Sequence, residues 1–545
     1  LQDADREVRV APPGSRSPDL IVNRPPKSYW LLPAAVALLQ ALPFLATFWL
    51  TPPEGQNYLH VGYMPEDMHA YMSFIRQVPE SGAFLFENRF VTEDQSGRFV
   101  LLFHWLMGSV AALTRVSPLW VLELSRIPLI FGFFAVLWWF LKPILPDQRT
   151  RLWAAALIGL SGGVAGFFRP LASYLPADGG KPFLVSTWHL YGWSTFEGLY
   201  NPLWVCAFML LLVALRRLLR PSDDGRWWLD YGAAFLLVIL WFVHPYSSMV
   251  AFAIGAARPV AQFIVEGVVE KRRVARLGCS LALAAAAILV VAAWQLGDPV
   301  FRASSGQVFG RLQLAVFWYP WTLGLLLVFA IKGGFRWIET KNVYRSSMLA
   351  WVGAIVLLHS SPVINGYHFV PYLHLPLSIL AASVMPGIRD RWWGLSGRRS
   401  LVAISMLVLL FASPILVTRE SIRDLEERNL VPAIFVETTL AMAEMPPGGA
   451  LVPPQMGMLV AAYTHHSVWA GHWFLTPEYW SRAEQYAALV GDPSREQELA
   501  QLLQMEQIRY LVVPAPVGDR IAGALKGEVL ERHPKGDLEL MVLRP

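Results

Sequence analysis

The sequence predicts an all-α bundle that crosses a membrane many times and carries a small α/β domain after its last span. Only 16% of the 545 residues are charged and 55% are hydrophobic, whereas soluble domains carry about 25% charged residues. About twelve apolar runs, most of them long enough to cross a bilayer, lie between residues 31 and 418. Beyond residue 418, charged helical segments alternate with short β-type runs, which indicates a mixed α/β unit.

Basic loops between the apolar runs predict the orientation of the bundle. The runs cover residues 31–50, 99–115, 119–143, 152–168, 201–219, 228–244, 246–266, 277–296, 311–331, 346–361, 375–388 and 400–418. The Lys and Arg clusters around Arg216, Lys271, Lys332 and Arg389 belong on the cytoplasmic side by the positive-inside rule. With a cytoplasmic N-terminus, this pattern places the C-terminus outside and therefore requires an odd number of crossings. We expect 11 to 13 transmembrane helices, with 11 or 13 crossings favoured.

The uncertainty in that number lies before residue 152. Either the runs 99–115 and 119–143 together cross the membrane only once, or one of them splits into two. Glu123 and Arg126 stand at i and i+3 near the start of the second run. Charges inside membrane segments are expensive unless they pair. Glu123 and Arg126 therefore predict a buried ion pair at a break in the helix.

The chain divides into three predicted regions. Residues 1–27 are polar and Pro-rich, which predicts a disordered cytoplasmic tail. Residues 28–418 form the membrane domain, with a long first outer loop at 51–98. Residues 419–545 form the extracytoplasmic α/β domain, with strands expected near 450–452, 510–513 and 538–542 and helices near 420–427, 477–490 and 496–507.

The first outer loop contains a predicted interfacial helix that opens on two acids, Glu66 and Asp67. Pro65 suits the first position of a helix, and acids in the first turn interact favourably with the helix dipole. From there, apolar residues recur at about every fourth position, with a polar face beside them. A carboxylate at this lipid–water boundary can act as a general base on an acceptor hydroxyl. A favourable charge at a helix start explains the same residues equally well.

The chain has a first span, a long outer loop with an acidic residue that begins an interfacial helix, a bundle of many spans and an outer C-terminal domain. In this arrangement it resembles the GT-C glycosyltransferases, the superfamily of protein O-mannosyltransferases and the lipid A aminoarabinose transferase. The phrases that also occur in a set of bacterial members are Gly62-Tyr63…Glu66-Asp67…Tyr71, Asn88-Arg89-Phe90, His244-Pro245-Tyr246 and Gly471-His472-Trp473-Phe474-Leu475-Thr476-Pro477.

The resemblance implies a membrane glycosyltransferase that takes a hexosyl or pentosyl group from a polyprenyl-phosphate carrier. Such enzymes use the acid of the first loop as base, and only Asp67, or Glu66 beside it, carries this role over to the present chain. Some members use a divalent metal and others do not, so we infer none. The implied partners are membrane lipids, the lipid-linked donor and an acceptor lipid, glycan or protein, at the extracytoplasmic face of a bacterial inner membrane.

The predicted substrate-binding residues surround the outer mouth of the bundle. His244 lies at an outer helix end, where a protonated imidazole can bind a phosphate oxygen, and Pro245 after it frees a backbone carbonyl. Arg89 and Arg169 are outer cations able to hold a phosphate. His69 and Tyr71 follow the two acids on the interfacial helix. Each has a plainer interpretation, as a helix cap, a headgroup contact or a packing residue.

Other classes of function fit the sequence less well. The net charge of +5 is explained by cytoplasmic loops, and no basic face with interleaved aromatics indicates a nucleic-acid partner. The segment 227–232 resembles an oligosaccharyltransferase signature but has an extra residue, and an aromatic anchor at the inner interface explains it better. A transporter would need paired charges at the midplane, which are scarce here. A non-catalytic subunit of a larger membrane complex stays open as an alternative.

Overall fold

The computed structural model describes residues 24–162, 194–220, 228–306, 323–361, 366–388, 398–525 and 527–544. Most of the predicted tail 1–27, much of the predicted span 311–331 and Arg169 lie outside these residues. The described part is mostly helical, with a two-stranded and a five-stranded sheet. The predicted class, a helical membrane bundle with a small C-terminal α/β domain, is confirmed.

Within the described residues, the membrane part and the first outer loop form a series of α-helices. They are α1 (Leu31–Trp49), α2 (Pro65–Ser81), α3 (Leu102–Thr114), α4 (Pro118–Ile144), α5 (Gln148–Leu160), α6 (Thr195–Gly198), α7 (Pro202–Leu218), α8 (Trp228–Val243), α9 (Pro245–Glu266), α10 (Lys271–Leu296), α11 (Pro299–Gly306), α12 (Leu325–Glu339), α13 (Arg345–His359), α14 (Val370–Ala382), α15 (Arg398–Phe411) and α16 (Ser413–Arg428). Short 3₁₀ turns at Lys27–Trp30 and Gly366–Phe369 lead into α1 and α14.

Four helical segments of the described chain are long and apolar enough to cross a membrane: Lys27–Trp49, α4, α9 and α10. The pair α15 and α16 passes the same test as one span bent by 44°. α3, α8, α13 and α14 are apolar but shorter. The membrane character of the protein is therefore clear, while the total of 11 to 13 spans stays a prediction.

The lengths of α3 and α4 bear on how many times residues 99–143 cross the membrane. α3 has 13 residues and is about 20 Å long, shorter than the apolar core of about 30 Å. α4 has 27 residues and continues without a break past Glu123 and Arg126. The predicted ion pair is present and buried, but the break expected beside it is absent, because the pair satisfies its own charges within one continuous helix.

The C-terminal domain is built on the five-stranded sheet. Its elements are β2 (Leu430–Pro432), α17 (Ala433–Ala443), β3 (Gly449–Leu451), α18 (Pro454–Tyr463), β4 (Ser467–Val468), α19 (Tyr479–Gly491), α20 (Glu496–Met505), β5 (Ile508–Pro514), α21 (Ala515–Ala524), β6 (Val529–Lys535) and β7 (Leu538–Leu543). The strand order is β4-β3-β5-β7-β6, with β4, β3 and β5 parallel and β7 antiparallel to both of its neighbours. The three strands expected from the sequence, β3, β5 and β7, form the centre of this sheet.

The first outer loop packs into the C-terminal domain. Its strand β1 (Gln56–Tyr58) pairs antiparallel with β2. Further along, Asn88 Nδ2 donates to the carbonyl of Leu475 (2.8 Å) and Thr92 Oγ1 donates to Glu506 (2.7 Å). One apolar core contains side chains from both regions, among them Phe74, Phe86, Phe90, Val460 and Val512. The loop that carries the candidate acids is therefore held by the membrane bundle on one side and by the C-terminal domain on the other.

Candidate functional site

The two acids open α2 in the predicted way, after an unusual turn. Met64 adopts a left-handed conformation (φ 43°), and Pro65 is the first helical residue. This conformation is uncommon for a residue with a side chain, so it turns the chain sharply just before the acids. Glu66 and Asp67 then lie in the first turn of α2, where the backbone N–H groups favour negative charge.

Asp67 is partly buried among tyrosines. The rings of Tyr63 and Tyr71 lie close enough to Asp67 for its charge to raise the pKa of both phenols, alongside the larger effect of burial. Burial, and then the neighbouring charge of Glu66, raises the pKa of Asp67 to about 7. A carboxyl group with that pKa exchanges its proton near neutral pH, which suits a general acid or base.

A second carboxyl group, Glu197 of α6, faces the same tyrosines. It is 5% exposed, and its charge acts on Tyr63 together with that of Asp67. Burial raises the pKa of Glu197 well above its usual range. Within the described residues, Oε2 of Glu197 has no hydrogen-bond partner. Tyr200 stacks on Tyr63 at 5.1 Å between ring centroids, so aromatic rings line the space between the two acid-bearing segments.

The C-terminal domain packs against the start of α2, where two imidazoles lie: His69 of α2 itself and His472 of the C-terminal domain. His69 Nδ1 contacts the carbonyl of Pro65, and its ring packs edge-on against Tyr463 of α18. His472 accepts from the N–H groups of Phe474 and Leu475 at Nδ1 (3.1 Å each) and lies against the backbone of Glu66. Burial lowers the pKa of both His69 and His472 to about 4, so both rings are neutral at pH 7.

His244 belongs to a cluster of polar and aromatic side chains between α7, α9 and α14. Its Nδ1 lies 2.9 Å from Ser247 Oγ and 3.1 Å from Tyr372 Oη, and its ring packs against Trp204 at 4.9 Å. When Nδ1 accepts a hydrogen bond from a hydroxyl, Nε2 carries the proton of the neutral ring and can donate a hydrogen bond to an anion. The geometry suits a neutral hydrogen-bond donor.

A short path of contacts links this cluster to Asp67. Asn201 caps α7 and donates from Nδ2 to Tyr71 Oη (3.0 Å). Tyr71 lies beside Asp67, one turn further along α2. Trp204, in the first turn of α7, contacts His244. Asp67, Tyr71 and His244, which are far apart in the sequence, are thus brought to neighbouring positions around the start of α7.

Arg89 has a different environment. Its guanidinium forms an ion pair with Glu80 (2.6 Å) and donates to the carbonyl of Thr464 (3.1 Å), and its own carbonyl accepts from Val468 N–H (2.9 Å). These bonds join the outer loop to the C-terminal domain and give Arg89 a structural role. Its predicted contact with phosphate stays a prediction, as does that of Arg169, which lies outside the described residues.

Asp230, in the segment that resembles an oligosaccharyltransferase signature, also has a structural environment. It is buried and forms ion pairs with Arg220 (3.1 Å) and Arg276 (3.4 Å). These bonds tie the start of α8 to the end of α7 and to α10. Trp228 beside it is exposed, as expected of an interfacial anchor.

The described residues contain no group of three or more His, Cys, Asp or Glu side chains placed to hold a metal ion. The charges of Asp67 and Glu197 both act on Tyr63, and His472 lies against the backbone of Glu66 at the start of α2. We derive no step of the chemistry through a metal.

Solved structures of membrane glycosyltransferases share this architecture. An archaeal oligosaccharyltransferase, AglB from Archaeoglobus fulgidus, in complex with an inhibitory peptide and a dolichol-phosphate, aligns over 94% of this chain and 74% of its own, with 12% identity and a TM-score of 0.54. ArnT from Cupriavidus metallidurans, bound to undecaprenyl phosphate, aligns over 94% of this chain and 98% of its own, with 14% identity and a TM-score of 0.52. The fold is GT-C-like.

A third GT-C structure is the Archaeoglobus fulgidus oligosaccharyltransferase tethered to an acceptor peptide with an NVT sequon. It aligns over 92% of this chain and 71% of its own, with 13% identity and a TM-score of 0.54. No protein-family model and no curated protein matches the sequence. At these identities the similarity establishes the fold, and the chemistry must be argued from the chain's own residues.

Sequence reasoning missed several residues of this candidate site. Glu197, Tyr200, Asn201 and Tyr372 were not among the site residues predicted from the sequence. The available signal was a lone acid, Glu197, among aromatic side chains just before an apolar run. His472 is buried, and no signal in the sequence indicates its position against Glu66.

Proposed function

We propose that this protein transfers a hexosyl or pentosyl group from a polyprenyl-phosphate-linked donor to an acceptor outside the cytoplasm, with Asp67 as general base. The observation that carries this proposal is the half-buried carboxyl of Asp67, whose pKa burial raises to about 7, at the start of a helix in the first outer loop. The GT-C-like fold supports it, since the neighbours of that fold include glycosyltransferases bound to dolichol-phosphate and undecaprenyl phosphate.

The chemistry requires one proton transfer and one displacement. The carboxylate of Asp67 accepts the proton of the acceptor hydroxyl, whose oxygen forms a bond to the anomeric carbon of the sugar. The bond between that carbon and the phosphate oxygen breaks, and polyprenyl phosphate leaves with the electron pair. Tyr63, Tyr71 and Tyr200 exclude water from one side and offer ring faces to a sugar. A buried, protonated Glu197 can donate a hydrogen bond to a sugar or acceptor oxygen.

The phosphate of the donor is proposed to lie near His244. His244 and Ser247 at the start of α9, together with Tyr372 of α14, supply three hydrogen-bonding groups, and the path through Asn201 leads from there to Asp67. His69 and Tyr71 would line the passage between the phosphate and the base. Arg89 is not needed in this arrangement, because its carboxylate and carbonyl partners already occupy it.

Replacing His244 by Ala is expected to weaken binding of undecaprenyl phosphate roughly ten- to a hundredfold, the loss of about 1.5–3 kcal/mol for a hydrogen bond to a charged group. Purified protein in detergent would be titrated with undecaprenyl phosphate, and the dissociation constant read by native mass spectrometry. His533→Ala, which changes a half-buried histidine of β6 in the C-terminal domain, serves as the matched control. Unchanged affinity of the His244 variant would remove this residue from the donor site.

The site belongs to the outer face if the basic loops are cytoplasmic. The shortness of α3 supports the topology in which α3 and α4 together cross once, which gives the odd number of crossings that the charges require. An alkaline phosphatase reporter fused after Pro545 is therefore expected to be active, because it would lie on the extracytoplasmic side of the bacterial inner membrane. Alkaline phosphatase and green fluorescent protein fusions measure this directly, and cytoplasmic fluorescence would reverse the proposed orientation.

A further inference from the structure

A buried ion pair in α4 lies beneath the two acid-bearing segments. Glu123 Oε2 and Arg126 Nη2 are 2.9 Å apart, and their side chains are 1% and 2% exposed. Such a pair costs desolvation energy that its own attraction offsets only in part, and apolar residues in the same place are often equally or more stable. Its presence in an otherwise apolar helix therefore needs a reason other than stability.

The pair hydrogen-bonds to the backbone of its surroundings. Gly62 N–H donates to Glu123 Oε1 (3.1 Å), three residues before the start of α2. Arg126 Nη1 donates to the carbonyl of Gln40 (3.3 Å), and Gln40 Nε2 donates to the carbonyl of Phe196 (2.6 Å). Gly62 leads directly to the turn that carries Asp67, and Phe196 immediately precedes Glu197.

The charges of the pair also reach the rings around the site. Burial raises the pKa of Tyr463 above its usual range, and Glu123 adds to that effect. Burial likewise raises the pKa of Tyr200, which Arg126 partly opposes. A Cβ atom at Gly62 would lie 2.9 Å from Phe44 Cβ and 3.2 Å from Arg126 Nη1. The backbone at residue 62 is therefore held against the pair at close range.

We propose that Glu123 and Arg126 form a positioning pair, which holds residues 62–67 and 194–201 at a defined separation so that the carboxyl groups of Asp67 and Glu197 face the same space. The proposal rests on the proposed function for its purpose and on the hydrogen bonds above for its geometry. The pair touches no reacting atom in this scheme. It acts through the backbone of Gly62 directly and through Gln40 on the backbone of Phe196.

Two double variants separate positioning from stability. Glu123→Leu with Arg126→Met removes both charges and also the acceptor for Gly62 N–H. Glu123→Gln with Arg126→Met removes both charges but keeps a side-chain oxygen for that N–H. Neither leaves a lone buried charge, so both are expected to fold, unlike a single removal, which costs about 3–5 kcal/mol. Thermal unfolding and gel filtration establish that each variant is folded.

The readout is the protonation of the two acids, measured without any transfer assay. Dicyclohexylcarbodiimide reacts with protonated carboxyl groups in apolar surroundings, and peptide mass spectrometry resolves Asp67 from Glu197. The groups that face Asp67 are Glu66, Tyr63 and Tyr71, with Glu197 and Tyr200 across Tyr63 and His472 against Glu66. In the wild type the labelling of Asp67 is expected to fall with a midpoint near pH 7.

The Leu/Met variant is expected to move that midpoint towards about pH 4, the usual range of an aspartate, because the released turn admits water. It should also reduce the labelling of Glu197. The Gln/Met variant keeps the contact with Gly62 and is expected to retain the wild-type midpoint of Asp67, while the labelling of Glu197 should fall because the contact between Arg126 and Gln40 is lost. As a matched control, Arg220→Gln with Asp230→Asn removes part of the buried ion cluster at the opposite end of α7, about 25 Å of helix away, and should change neither acid.

A folded Leu/Met variant with the wild-type midpoint of Asp67 would overturn the proposal, and so would a Gln/Met variant in which that midpoint moves as far as in the Leu/Met variant. Failure of the proposed function gives a different result. In that case the labelling of the two acids changes in the double variants as described, while Asp67→Asn protein retains transfer activity. Glu123 and Arg126 would then still position the first outer loop, but Asp67 would not be the general base.

Discussion

Replacement of Asp67 by Asn is expected to lower glycosyl transfer at least a hundredfold while the protein remains folded. The amide has the size and shape of the carboxyl group but cannot accept the proton of the acceptor hydroxyl, and a positioned base typically contributes 10²–10⁴-fold. The wild-type rate should rise with pH through about 7, because the pKa of Asp67 is raised to about 7 and only the carboxylate is active. Initial rates with lipid extract as donor, over pH 5–9, measure both effects.

Glu66→Gln is the matched control for this experiment. Glu66 is one residue away and therefore points about 100° around the helix from Asp67, so the two acids cannot serve one acceptor. We expect the Glu66 variant to lose much less activity. If it were inactive and the Asp67 variant active, the roles of the two acids would be exchanged.

A stability measurement shows whether a loss of activity reflects chemistry or misfolding. In the unfolded chain Asp67 ionises near pH 4, and in the folded protein burial raises its pKa to about 7. Between these values the unfolded state releases the proton first, so the free energy of unfolding falls as pH rises through this window. Asn does not titrate. Asp67→Asn should therefore be more stable than the wild type at pH 8, by about 2–4 kcal/mol after allowance for partial solvent contact, and equal to it below pH 4.

Full activity of both acid variants would return Glu66 and Asp67 to the plainer role of favourable charges at a helix start. That result would favour the alternative of a non-catalytic GT-C-like subunit within a larger membrane complex. A transporter would move a lipid or solute without forming a glycosylated product. The transfer assay would therefore detect no product with the wild type if the protein were a transporter.

The bundle and the C-terminal strands were predictable because long apolar runs and short β-type runs are local signals. The positions of β3, β5 and β7 followed directly from such runs. The expected break beside Glu123 was wrong for a nonlocal reason, since the partners of that side chain, Arg126 and Gly62, satisfy it without any change in the helix. Nothing in the sequence around residue 62 indicates that its backbone meets α4.

The candidate site was predictable only where one segment carries it. Glu66 and Asp67 stand out because a Pro and two acids open an amphipathic helix. Glu197 could not be assigned to the site from the sequence. Its place there depends on the stacked rings of Tyr63 and Tyr200, which are more than a hundred residues apart in the chain. Arg89 was expected to be available to a phosphate on the strength of its charge, and Glu80 lies near enough in the sequence to have suggested an ion pair instead.

The loop that carries His472 approaches α18 so closely that only glycine fits. A Cβ atom at Gly457 would lie 2.1 Å from the carbonyl oxygen of Ala470 and 2.9 Å from Gly471 Cα. Both neighbours are backbone atoms and cannot move aside by changing rotamer. The contact holds the loop against α18, and through His472 it holds the loop against the start of α2.

Gly457→Ala is therefore expected to destabilise the C-terminal domain by about 3 kcal/mol, at the upper end of overpacking costs, because α18 and the loop must separate. Limited proteolysis should cut the loop around residue 472 faster, and transfer activity should fall as the cover over Glu66 loosens. Gly491→Ala is the matched control, since a Cβ atom there meets nothing within 4 Å, and it should be neutral or slightly stabilising. A Gly457 variant with unchanged unfolding temperature and proteolysis would show that the loop can move away from α18 without cost, and the proposed cover of the site by His472 would then lose its structural basis.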